Sequence, residues 1–239
     1  EGFPGVVVDT ERRKIRVDRN QDLTQPMEQL YTAFLAGDAD RYAVSRDYAA
    51  GLHEFLSLTN LTPKLVKGQV TGPVTWGLNV VDGEGKGIIY VDFLGDAVPK
   101  FLKLKAAWQE KQLKQLCRDT IIFFDEPYMS AFGSVGMMLS REKVINLLEE
   151  AFGGVSGLKG VHCCGNTDWS ILLATSVDII NFDAYGYAQS LSLYPKEVKK
   201  FIDRGDTVAW GIVPSTVEAL DKESVASLND RLEEAMAPF

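Results

Sequence analysis

From residue 120 onward, short apolar runs take turns with amphipathic segments, and this alternation constrains the fold more than any other feature. TIIFF (120–124) is a continuous apolar run, as in a strand buried on both faces. SREKVINLLEEAF repeats its apolar residues three and four apart and predicts a helix with Ser140 as N-cap. LKGVHCC is a second strand, DWSILLATS a short helix and DIINF a third strand. PKEVKKFIDRG opens on proline and closes on glycine, as helix ends prefer. TVAWGIV is a fourth strand and ESVASLNDRLEEAM a last helix. With LVKGQV upstream, five strands alternate with helices, which predicts an α/β fold around a parallel sheet. A doubly wound sheet and a (β/α)8 barrel both fit the spacing. No G-x-G-x-x-G turn follows a strand, which weakens a dinucleotide-binding reading; DGEGKG (82–87) reads as a flexible loop.

The first third is less regular. VVV (6–8) and IRV (15–17) flank TERRK and predict a small hairpin. Residues 39–58 show helical spacing, Pro63 breaks the chain, and a long helix is predicted over 98–117 with Lys103, Lys105, Lys111 and Lys114 on its polar face. At 239 residues and 46% hydrophobic content, the chain can bury a substantial core, read here as one barrel domain over 1–239. A net charge of −8 argues against non-specific nucleic-acid binding, which needs a basic face. No apolar run reaches the ~18 residues of a membrane span, and no signal-peptide pattern opens the chain. Three cysteines, two of them adjacent, make no disulfide framework, so a reducing cytoplasm is the expected compartment. The opening EGFPGVVVD and the closing RLEEAMAPF both read as cuts in a longer pattern.

In either fold, ligands sit at the carboxyl ends of the parallel strands. The strands end in TGPVT, DEPY, HCCGN, NFDAY and AWGIVP, so polar and ionisable groups gather on one rim. Side chains alternate along a strand, placing His162 and Cys164 on one face and Cys163 on the other. His162 and Cys164 offer nitrogen and sulfur ligands of the kind zinc takes, with Asp183 as a third donor. The same pair also reads as two satisfied side chains of a buried strand. Cys163 reads as a small core residue, and adjacent cysteines are poorly placed for a redox disulfide. Asp125 and Glu126 suit amine binding, a metal, base catalysis or an ordinary turn before proline. Tyr185 and Tyr187 suit a pocket or loop packing, and Trp210 suits core or site. Cys117 falls at the opposite rim, and His53 reads as part of a solvated helix face.

Taken together, LVKGQVTGPVTW, IIFFDEPYMS, GVHCCGN, DIINFDAYGY and AWGIVPST resemble the superfamily of the cobalamin-independent methionine synthase catalytic barrel, the zinc methylcobamide methyltransferases and uroporphyrinogen decarboxylase. These segments keep the family's order from about Leu65 to Thr216. The resemblance implies a (β/α)8 TIM barrel, incomplete here at both ends. It implies a zinc ion held by His162, Cys164 and Asp183, with Asp125 at the amino group of an amino-acid substrate. Glu126, Tyr185 and Trp210 complete the expected substrate-binding set. Metal coordination would deprotonate a substrate thiol whose own pKa is near ~8.5. The family's last zinc ligand is a cysteine, and no cysteine follows Cys164.

The implied activity is transfer of a methyl group from a methyl-corrinoid or methyl-folate to a thiol such as homocysteine. The chain has no room for the second barrel of the long synthases, which favours a corrinoid donor, delivered by a corrinoid protein, or a short core-type synthase. Two other classes compete. A metal-free, decarboxylase-like lyase needs cationic rim residues, and the rim segments contain no arginine. A degenerate, non-enzymatic barrel would bind a corrinoid protein or small ligand without turnover.

Overall fold

A computed structural model describes residues 1–11 and 14–239. The chain opens with an antiparallel hairpin, β1 (Val6–Asp9) and β2 (Lys14–Val17), as expected, with Val6 opposite Val17. Arg12 and Arg13, in the TERRK segment between the strands, lie outside the described residues. Helix α1 (Thr24–Ala36) follows and ends on Gly37, whose left-handed backbone lets its N–H reach back to Ala33 and Phe34. The helix expected over 39–58 is divided. A 3-10 turn (Ala39–Tyr42) and an extended stretch precede α2 (Arg46–Ser57), which is itself kinked at Ala49.

The main sheet is built from β3 (Val66–Thr71), β4 (Thr120–Asp125), β5 (Leu158–Cys163), β6 (Ile179–Phe182) and β7 (Thr207–Trp210). All neighbours are parallel, and the spatial order follows the chain order from β3 to β7. A doubly wound sheet reverses strand order at a switch point; this sheet does not. The connections run through α3 (Pro73–Asn79), α4 (Asp92–Leu113), α5 (Arg141–Phe152), α6 (Trp169–Leu173), α7 (Ala184–Leu191) and α8 (Pro195–Asp203), and α9 (Val217–Leu220) and α10 (Val225–Met236) close the chain. Ser140 caps α5 as expected, accepting from the Lys143 N–H at 3.1 Å. The five parallel strands expected from the alternation are all present, and the described residues form an open sheet of sequential strands rather than a closed barrel.

The two faces of this sheet differ. Ile122, Phe124, Val161, Cys163, Ile180 and Phe182 all point to one face and are buried under the helices. The other face carries Lys67, Gln69, Asp125, His162 and Asn181, all exposed or half-buried. Phe123 and Gly160 are its buried part, and a Cβ on Gly160 would lie 2.6 Å from the Phe123 ring.

A second core lies under the hairpin and α1. Phe3, Val17, Leu30 and Tyr42 pack there against Leu94, Val98 and Phe101 of α4. Helix α4 begins at Asp92, six residues before the expected start at 98. Pro99 rides buried inside it, although proline favours a first turn and ordinarily costs ~3 kcal/mol within a helix. The segment expected as a flexible loop at 82–87 is a turn built round Asp82. This buried carboxylate accepts from the Glu84 and Lys86 N–H groups, each at 3.0 Å, and pairs with Arg19 at 3.2 Å.

Candidate functional site

Strand register decides which side chains meet. Asp125 pairs with His162, His162 with Asn181, and Asn181 with Ala209. Partners in register share a face, so these residues form one row across β4 to β7 at the carboxyl edge. Gln69 extends the row from β3, donating from Nε2 to Asp125 Oδ2 at 2.9 Å, and Lys67 Nζ donates to Gln69 Oε1 at 2.9 Å. On the far side, His162 Nδ1 lies 2.6 Å from Asn181 Oδ1, and Asn181 Nδ2 donates to the Ala209 carbonyl at 2.9 Å. Burial holds the Asp125 carboxyl above its ordinary range, and the charges of His162 and Lys67 pull it part of the way back.

The two adjacent cysteines differ in burial, Cys163 being the last residue of β5 and Cys164 the first beyond it. Cys163 is buried and Cys164 is exposed, and all three cysteines are free thiols. Burial pushes the Cys163 thiol up to about 11. Cys117 follows α4 at the amino-terminal side of the sheet, half-buried against the core. His53 is half-buried rather than solvated. Its Nε2 lies 2.8 Å from the Val44 carbonyl, and its ring faces Trp108.

Glu126 sits differently from a substrate contact. It is 0% exposed. Its two carboxylate oxygens accept from the backbone N–H groups of Val74 at 2.9 Å and Thr75 at 2.7 Å. It therefore fastens the start of α3 to the end of β4 from inside. Gly72 is required above it, since a Cβ there would lie 2.3 Å from the carboxyl group. Burial pushes the Glu126 carboxyl up to about 7 against those hydrogen bonds.

Trp210 lies in register with Phe182, on the helix-facing side of the sheet, and packs on Phe182 and Phe239 rather than joining the row. Tyr185 donates its hydroxyl to Glu223 at 2.8 Å and lies under the Arg231 guanidinium. It lines a cavity of about 390 Å³ between α7 and α10, away from the row. Asp183 caps α7 by accepting from the Gly186 N–H at 3.0 Å.

His162, Cys164 and Asp183 are not brought together into one cluster. Among the described residues, no three His, Cys, Asp or Glu side chains group closely enough to hold a metal ion. Gln69 and Asn181 belong to the site and are not among the expected site residues. The available signal was a polar residue at an alternate position of an otherwise apolar strand, as in KGQV and IINF.

The fold and site define a parallel α/β sheet of sequential strands, with helices on one face and a polar row at the carboxyl edge. Solved structures share this fold. One is a B12-independent methionine synthase from Shewanella sp. W3-18-1 in complex with selenomethionine, with a TM-score of 0.52 and 22% identity over 78% of this chain and 55% of that one. Another, from Listeria monocytogenes, is provisionally described as a vitamin-B12-independent methionine synthase, with a TM-score of 0.54 and 14% identity over 79% of this chain and 58% of that one. At these identities the likeness establishes a methionine-synthase-like fold, and the chain spans little more than half the length of either protein. No family model matches the sequence. No curated protein matches it. Among the described residues, no helix is long and apolar enough to cross a membrane.

Proposed function

We propose that this chain carries the catalytic rim of a methionine-synthase-like (β/α)8 barrel and takes part in methyl transfer to an amino-acid thiol such as homocysteine. The observation that carries this reading is the row Asp125–His162–Asn181, aligned by strand register on the open side of the sheet and joined by a hydrogen bond from Gln69 to Asp125. Asp125 supplies a half-buried carboxylate, fixed by Gln69, for a substrate ammonium group. His162 supplies a ring nitrogen, Nε2, with no hydrogen-bond partner among the described residues. In the proposed step Nε2 accepts the thiol proton and the sulfur bonds to the methyl carbon. The bond from that carbon to the folate or corrinoid donor breaks, and its electron pair leaves with the donor. A free thiol has a pKa near ~8.5, so a nearby acceptor raises the thiolate fraction at neutral pH.

The test is S-methylation of homocysteine by the full polypeptide, with methyl-folate and methyl-corrinoid donors assayed in parallel. Asp125→Asn is expected to raise KM for the amino acid, and His162→Ala to lower kcat by ~10²-fold or more. Full activity in His162→Ala refutes the reading. Elemental analysis of the same preparations tests the zinc expectation separately. Ligand binding by wild-type protein without turnover would replace the proposal by the non-enzymatic one.

A further inference from the structure

We infer that Asn181 is a positioning residue which locks His162 in the tautomer protonated on Nδ1, leaving Nε2 bare. The reasoning runs from the fixed end of a hydrogen-bond chain. The Ala209 carbonyl can only accept, and it lies 2.9 Å from Asn181 Nδ2. Turning the amide over would set oxygen against oxygen at that distance. The Asn181 amide is therefore oriented by the backbone of β7, with Oδ1 facing His162. Oδ1 in turn can only accept. At 2.6 Å it requires a proton on His162 Nδ1. A neutral imidazole with Nδ1–H has its lone pair on Nε2.

Asp125 is the group that could oppose this, by accepting from an Nε2–H. It stands opposite His162 in register. However, its Oδ2 is taken by Gln69, and no hydrogen bond joins it to the imidazole. The tautomer follows from the geometry alone. Its catalytic value rests on the methyl-transfer reading, because a thiol proton needs a bare nitrogen to receive it.

The chain contains a built-in contrast. It has two histidines. His53 places Nε2, not Nδ1, 2.8 Å from a carbonyl that can only accept. The two rings are therefore expected in opposite tautomers within one molecule.

Long-range proton–nitrogen correlation spectra of ¹⁵N-labelled full-length protein, at about pH 8 where histidines are ordinarily neutral, read this directly. His53→Gln assigns the signals. The expected wild-type result is a protonated-type Nδ1 and a bare-type Nε2 on His162, and the reverse on His53. Asn181→Leu is expected to abolish the single-tautomer pattern at His162 while leaving His53 unchanged, which also reports an intact fold. Asn181→Asp gives up the donor to the Ala209 carbonyl but retains an acceptor for the imidazole, and is expected to keep a proton on Nδ1. A wild-type His162 protonated on Nε2, or a pattern unmoved by Asn181→Leu, overturns the inference. If Asn181→Leu fails to fold, the wild-type and Asn181→Asp spectra decide. Loss of methyl transfer with the tautomer pattern intact would remove the proposed function and leave this inference standing.

Discussion

Glu126 supports a prediction about stability that separates burial from hydrogen bonding. Its carboxyl is fully buried and pushed from an ordinary 4.5 up to about 7, against the pull of the Val74 and Thr75 N–H groups. Between those two pH values the unfolded chain has released a proton that the folded chain keeps. Stability contributed by this group is therefore full below pH 4.5 and falls as pH rises to about 7. At ~1.36 kcal/mol per pH unit, the swing is about 3 kcal/mol. Glu126→Gln removes the titration at nearly constant volume. It also sets an NH₂ against a backbone donor, a pH-independent cost of ~1–3 kcal/mol. The expected result, from urea unfolding at intervals between pH 4.5 and 7.5, is a wild type more stable than the variant at the acid end. That advantage shrinks or reverses by pH 7.5. Other carboxylates, such as Glu110 and Asp82, titrate in both proteins and cancel in the difference. A difference that stays flat refutes the reasoning. One that grows with pH would show that the two N–H groups, not burial, set the charge state.

Two further outcomes are expected. Gly160→Ala drives a methyl group into the Phe123 ring and should destabilise the sheet by ~1–3 kcal/mol in the same unfolding assay; an unchanged midpoint would mean that the ring moves aside freely. Iodoacetamide should label Cys164 in the native protein but reach Cys163 only after unfolding; comparable native rates would contradict their opposite placement.

The strands and most helices around the sheet were legible because their signals are local. A continuous apolar run such as TIIFF, or a proline and glycine bracketing PKEVKKFID, says what the chain does without reference to the rest. What was missed depended on partners distant in sequence. Helix α1 buries only Leu30 and Ala33, so its apolar stripe is too narrow to read. The start of α4 was hidden by Pro99, which as a lone signal marks a helix beginning. The split of 39–58 follows from the extended backbone after Tyr42, which interrupts an otherwise helical spacing.

The site divides in the same way. The burial of Cys163 follows from period-two geometry, since it shares a face with Val161. That Asp125, His162 and Asn181 stand level follows only from inter-strand register, which no single segment contains. Glu126 was visible as an acid beside a turn, but its inward orientation is decided by α3, some fifty residues away in the chain.

The place of α4 between two cores has a consequence for how the molecule comes apart. Its Ala106 and Leu113 belong to the core beneath the sheet, while Leu94, Ala97, Val98, Phe101, Leu102 and Leu104 belong to the one beneath the hairpin. Shedding the amino-terminal block would strip this helix along one side and leave a wide apolar surface in water. Shedding the sheet would do the same from the other side. Neither half can therefore melt cheaply by itself, and the amino-terminal block acts as a brace for the strand ends that carry the polar row.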